Sequence, residues 1–371
     1  MKKSLIALAV LAASGAAMAQ SSVTLFGIVD TNVSYLDGVS NAAGTNAAGT
    51  NTESKYGIGT SGNATSRLGF RGVEDLGGGL KAGFWLEGEI FGDDGNASGF
   101  NFKRRSTVSL AGGFGEVRLG RDLTPGYSKF ISYDLFGQTG IGQFMGWSDW
   151  NGNNQTTANN NNDANGIRSS NMISYYTPNF SGFTAGLGYG FDEKADTTNS
   201  KKGRYVGGYV AYDNGPLSVA LSYDESSALT LGSGATAVNG ADRNHLTLGG
   251  SYDLNVVKLN AILQQTKDDV PGGSERKVNA YMLGASAPVG AGEVKLQYAL
   301  YDQKAIDSKA HQISLGYVHN LSKRTAVYGT VAYMDNKDAS KLNLSAKGLG
   351  TIDARAGDSQ TGVQVGIRHS F

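Results

Sequence analysis

Six arginines, Arg67, Arg71, Arg104, Arg105, Arg118 and Arg121, and three aspartates, Asp122, Asp134 and Asp149, are the residues whose type and spacing could do work in this chain. That work is electrostatic. Leu68 and Phe70 interleave with Arg67 and Arg71, Val117 and Leu119 flank Arg118, and Arg105 precedes Val108 and Leu110. If the apolar residues take one face of extended chain, these four guanidiniums project from the other. Arg104 and Arg121 fall on the wrong face by the same count, although a bulge at Gly120 would re-aim Arg121. Facing rows of fixed charge separate the paths of anions and cations, and the plainer alternative is that they only solvate a polar surface or pair with one another. Covalent chemistry has little to draw on, so an enzyme is not expected. His245, His311, His319 and His369 belong to separate segments, and no serine sits in Gly-x-Ser-x-Gly. The asparagines at 159–162 and Asp163 lack the spaced carboxylates of a calcium loop, and no metal ligand set or cofactor is expected. No basic aromatic surface suggests nucleic acid.

The elements that must hold these charges are strands. Leu217, Val219, Leu221 and Tyr223 alternate with Ser218, Ala220, Ser222 and Asp224, and Val294, Leu296, Tyr298 and Leu300 alternate with Lys295, Gln297 and Ala299. Val257, Leu259, Ala261 and Leu263 do the same, less cleanly at Ile262. A period of two means one wet face and one dry face. Only 40% of the 371 residues are hydrophobic and 54 are glycine, too little for one large dry core but suited to a single sheet wetted on its inner side.

Residues 1–19 read as a cleaved secretory signal, with Lys2 and Lys3, an apolar run from Leu5 to Ala13, and small residues at 17–19. The remaining 20–371 read as one domain. Its formal charge falls from zero to about −2 once both lysines are gone. There is no cysteine to staple an exported fold. No later run is long enough for a membrane helix, so a membrane could be entered only as a closed barrel.

Turn signals give the count. Short connections fall at 77–79, 112–115, 178–182, 214–216, 253–255, 288–292 and 321–323, and longer polar ones at 36–65, 92–102, 122–166, 193–202, 226–241, 268–275, 304–309 and 336–359. Seven short and eight long connections predict an all-β, 16-stranded antiparallel transmembrane β-barrel with both termini on the short-turn side. Such a barrel is wide enough to hold water. Tyrosines near segment ends, such as Tyr35, Tyr223, Tyr301 and Tyr333, fit interfacial girdles.

Three blocks, RLGFRGVEDLGGGLKAGFWLE (67–87), VSLAGGFGEVRLGR (108–121) and YYTPNFSGF (175–183), resemble the Gram-negative trimeric general porins, most nearly their β-proteobacterial branch. QSSVTLFGIVD (20–30), LSKRTAVYGTVAYMDN (321–336) and GVQVGIRHSF (362–371) carry the resemblance to both ends. The terminal Phe371 is similar to the signature that the outer-membrane assembly machinery reads. The resemblance implies a homotrimer among lipid and lipopolysaccharide, each barrel narrowed by an inward-folded third outer loop. It sets the six arginines on the wall near the pore, opposite acidic residues of that loop. The loop would be 122–166, with Asp122, Asp134 and Asp149. Asp134-Leu135-Phe136-Gly137 looks like the family's loop tip, departing from the enteric Pro-Glu before Phe-Gly. Trp147 and Trp150 are expected to pack the loop on the wall, and Trp85 reads as lumen filler. The implied function is passive diffusion of ions and small hydrophilic solutes across the cell outer membrane, with mild anion preference. The alternatives are a substrate-specific channel and a plugged adhesive or structural barrel.

Overall fold

The computed structural model describes residues 22–41, 51–97, 99–147, 166–192, 203–231, 238–350 and 352–371. The signal segment and Asp149, Trp150 and Asp163 lie outside them. Seventeen strand segments form one sheet: β1 (Ser22–Ser40), β2 (Thr52–Thr60), β3 (Arg67–Gly77), β4 (Leu80–Glu89), β5 (Arg105–Gly112), β6 (Gly115–Leu123), β7 (Arg168–Tyr176), β8 (Phe183–Gly190), β9 (Tyr205–Asn214), β10 (Leu217–Leu231), β11 (Val238–Asp253), β12 (Lys258–Asp269), β13 (Arg276–Val289), β14 (Gly292–Gln303), β15 (Ser308–Asn320), β16 (Thr325–Asn336) and β17 (Ser359–Ser370). Every ladder is antiparallel, and β17 closes the barrel on β1, from Ile28 opposite Ser370 to Asp37 opposite Thr361. The segments make sixteen staves because β2 and β3 share one side of β1. β3 pairs with Ser22–Ile28, β2 pairs with Thr31–Ser40, and residues 61–66 interrupt the stave between them. The expected polar connection at 36–65 is therefore corrected. Alternating residues in its arms continue both strands, β1 to Ser40 and β2 from Thr52.

Alternation decides which face is wet. On β14, Leu296 is 48% exposed on the outside while Gln297 beside it is 2% exposed. Val363, Val365 and Ile367 of β17 project outward in the same way, and Gln360 and Gln364 inward. An apolar outer face is what a hydrocarbon solvent requires. The short turns are built for reversal, with Gly77, Gly78 and Gly79 all at positive φ.

Part of the interior is dry. After β6 the chain forms the short helix α1 (Pro125–Phe130) and continues along the inner wall. Phe130, Tyr133, Ile141, Phe144, Met145 and Trp147 are buried there in one cluster with Ile262, Met282 and Tyr301. Ile262, which blurred the alternation of β12, thus has an inward partner. The 337–358 connection, read from sequence as a polar outer loop, also turns in: Leu342, Leu344, Ala346, Leu349 and Ile352 join the same cluster. Burying a large apolar side chain contributes about 1.5–3 kcal/mol, so neither segment is a free surface loop.

Candidate functional site

The charged wall is built on β3 to β7. Arg71 stands opposite Trp85, Arg67 opposite Glu89, Glu87 opposite Arg105, and Ser109 opposite Arg118, so residues from neighbouring strands share the inner face. Glu87 gathers two cations: Arg104 Nε at 2.7 Å and Arg67 Nε at 4.0 Å. Trp85 Nε1 also donates to it, at 3.1 Å. Asp122 gathers two more, Arg118 Nη1 at 3.2 Å and Arg105 Nε at 3.4 Å, while Arg118 Nη2 donates to Glu116 at 2.8 Å. Arg105 also donates to Thr107 Oγ1 at 3.0 Å. Aromatic rings hold the rest of the geometry. The guanidinium of Arg118 lies 4.3 Å from the Tyr176 ring centre, and that of Arg105 lies 4.6 Å from the Trp85 ring centre.

Arg104 precedes β5 yet reaches the inner face through Glu87. Arg121 does not follow Arg118. The register of β6 on β7 shifts between Gly120 and Asp122, where Gly120 has φ +124°, and Arg121 donates to the Lys103 carbonyl at 2.6 Å and to Ser170 Oγ at 2.7 Å. The bulge expected from sequence is present and directs the side chain toward the 103–105 segment.

Two aspartates need correction. Asp122 lies within β6 on the same wall as the arginines, where it ties Arg105 to Arg118, and not on the opposing loop. Asp134 is on the loop, and among the described residues no arginine lies within ion-pair distance of it. Its carboxylate accepts from the backbone N–H groups of Phe136, Gln138 and Phe144 and from Gln138 Nε2, at 2.8–3.1 Å. Burial pushes this carboxyl above its ordinary value, against the three backbone donors. The tip aspartate builds the turn it sits in.

The loop is attached through neutral side chains that alternation sends inward. Asn260 donates to the Tyr133 carbonyl, Gln297 accepts from Leu135 N–H and donates to the Gly142 carbonyl, and Gln312 donates to the carbonyls of Ile141 and Gln143. The Tyr301 hydroxyl accepts from Met145 N–H at 2.9 Å. At the far side Thr139 donates to the Ser61 carbonyl at 2.7 Å, in the break between β2 and β3. Charge enters at Lys129, paired with Asp213 at 2.8 Å, and at Lys295, which donates to the Leu135 carbonyl. The described part of the loop thus touches the inner wall from β9 round to β2, more than half the circumference. Trp147 packs edge-on to Tyr127 of α1, with ring centres 5.1 Å apart, and meets the wall at His245 of β11, with ring centres 6.4 Å apart.

Four participants were not singled out from sequence. Glu87 alternates with Trp85 on the polar face and could have been paired with the arginines by that parity. Arg168, at the start of β7, is buried and donates to the Arg104 carbonyl at 2.9 Å. Its position after the long loop hid it. Lys347 comes from the 337–358 segment, pairs with Glu89 and lies 4.6 Å from the Phe91 ring centre. Burial pulls its ammonium below the ordinary lysine value, with Glu89 opposing. Gln360 holds that segment by accepting from Leu344 N–H and donating to the Ile352 carbonyl.

The geometry on the page is a closed barrel with an apolar exterior, two inward-folded segments and an arginine-rich inner wall. Comparison with known proteins agrees with it. A family model described as Gram-negative porin matches residues 5–339. Outer membrane porin protein 32 of Delftia acidovorans is 67% identical over the whole of both chains, and an outer membrane porin protein of Bordetella pertussis is 35% identical, again over the whole of both. A solved structure described as an anion-selective porin from Comamonas acidovorans is 64% identical, with a TM-score of 0.84 over 95% of this chain and all of that one. Porins of this kind lie in the outer membrane and pass solutes by diffusion, and the chain belongs to the Gram-negative porin family.

Proposed function

We propose that this porin favours small anions and that the β3–β7 wall is the reason. The supporting observation is a charge imbalance on the side chains of this wall: Arg67, Arg71, Arg104, Arg105, Arg118, Arg121 and Arg168 against Glu87, Glu89, Glu116 and Asp122, seven arginines to four carboxylates, with Glu89 further matched by Lys347. The described part of the loop on the inner wall adds little opposing charge, since its tip carboxylate serves its own backbone. The description of the 64% identical structure as anion-selective agrees with this reading. The barrel functions as a trimer of independent pores in lipid and lipopolysaccharide, exported by a signal at 1–19 and inserted by assembly machinery that reads Phe371. We read no covalent step into it, since the family is one of channels; the four histidines hydrogen-bond hydroxyls of the wall, His245 to Thr266, His311 to Tyr298, His319 to Tyr317 and His369 to Thr325.

Arg71 is the residue to test. It is exposed to the lumen, and among the described residues no carboxylate lies within ion-pair distance of it. Its full charge therefore acts on passing ions. Arg71→Gln is expected to lower the anion-to-cation permeability ratio roughly two- to threefold at ~0.1 M salt, the weight of one charge about 7 Å away in screened water. Reversal potential under a salt gradient in planar bilayers checks this. A cation-favouring reversal in the unmodified protein would reject the proposed preference outright.

A further inference from the structure

We infer that Trp85 is a positioning residue for ion selectivity, which rests on the anion preference just proposed. Arg71 has rings where Arg67, Arg104, Arg105 and Arg118 have carboxylates. Its guanidinium carbon lies 5.2 Å from the Phe26 ring centre and 5.1 Å from that of Trp85, and the two rings meet edge to face at 4.9 Å and 64°. Phe26, Arg71 and Trp85 come from three consecutive staves and share the inner face.

The chemistry of this seat differs from that of an ion pair. A carboxylate holds an arginine by cancelling its charge; an aromatic face holds it through the ring quadrupole and leaves the charge whole. Glu87 is the nearest competitor. It projects from β4 on the same face, two residues after Trp85 and diagonal to Arg71, and it already draws Arg67 and Arg104. A flexible guanidinium without a seat would swing to it and be neutralised. Trp85 opposes this twice, by its ring under Arg71 and by its indole N–H, which occupies one oxygen of Glu87. Arg105 also lies on the Trp85 ring, but Asp122 and Thr107 fix it independently. The effect of Trp85 on permeation thus passes through Arg71.

The test exploits a substitution that changes no charge. Trp85→Leu is expected to lower the anion-to-cation permeability ratio by about twofold at ~0.1 M salt, most of the loss given by Arg71→Gln. Trp85→Phe, which keeps a ring but not the N–H, should stay near the unmodified ratio. In the Arg71→Gln background Trp85→Leu should add nothing further. Channel insertion and heat-modifiable mobility on gels confirm folding, and Trp85→Met replaces the leucine variant if that one fails to assemble. An unmodified protein that prefers cations refutes the underlying reading. An anion-preferring protein whose ratio falls with Arg71→Gln but not with Trp85→Leu refutes the role of Trp85 alone. So does a ratio insensitive to Arg71→Gln, or a further fall in the double variant.

Discussion

Asp30→Ala should destabilise the barrel by about 2–4 kcal/mol and, in the channels that still form, raise single-channel conductance and open-state noise. The residue is fully buried on the inner face of β1, and its carboxylate accepts the backbone N–H groups of Gly62, Asn63 and Ala64 at 2.7–3.2 Å and the hydroxyl of Tyr328. Those three amides form the break between β2 and β3, where no strand partner is available to them. The break in turn seats the inner-wall loop: Ser61 accepts from Thr139, and Gly140, at φ +70°, packs so close to the Gly62 carbonyl that a side chain there would collide with it. Loss of the carboxylate frees the turn, and the turn frees the loop at the contact farthest from α1. Tyr328→Phe removes one donor of four and should cost only about 1 kcal/mol with conductance nearly unchanged. Thermal unfolding by heat-modifiable mobility and bilayer recordings measure the two effects separately. A destabilised Asp30→Ala channel with unmodified conductance and noise would mean that the loop is held without this turn.

How far the sequence led depends on which physical signal a residue carries. Outward and inward faces were legible because lipid on one side and water on the other impose a period of two, and the short turns announced themselves through glycine, proline and asparagine. The same parity placed Arg67, Arg71, Arg105 and Arg118 on one face. It could not place Asp134, because a loop has no parity and the fate of its carboxylate is set by nearby backbone amides that only the folded turn assembles. Asp122 reads as the first residue of the loop because a polar residue after Arg121 looks like the end of a strand, whereas β6 runs on to Leu123. The break at 61–66 was invisible for a related reason. Its polar residues read as loop, while the alternation of Tyr56 and Ile58 beyond it was absorbed into a single long connection. In the 337–358 segment, Leu342, Leu344 and Leu349 were the available warning that an outer connection had a dry side.

Deleting Phe371 should separate two roles that a terminal aromatic can hold at once. In the folded barrel its N–H donates to the Gly27 carbonyl at 3.0 Å and its carbonyl accepts from Gly27 N–H at 3.1 Å, which ends the β1–β17 seam. Its ring covers Gly27 on the lipid side, where a side chain at position 27 would collide with it. The two backbone bonds are worth about 1 kcal/mol each, and the ten registered pairs from Ile28 to Asp37 remain, so purified protein refolded into detergent should lose stability without losing the barrel. A deficit of that size lowers abundance in cells several-fold. If assembly machinery also reads the residue, the outer membrane should lose far more, over about tenfold, while refolding in detergent stays close to normal. Gly27→Val supplies the control, since it disturbs the same seam, along with the Arg67 carbonyl of β3, and leaves the C-terminal phenylalanine in place. Equal losses for the deletion and for Gly27→Val, in cells and in detergent alike, would assign the whole effect to closure of the barrel. A cellular loss confined to the deletion would assign it to recognition before the barrel has formed.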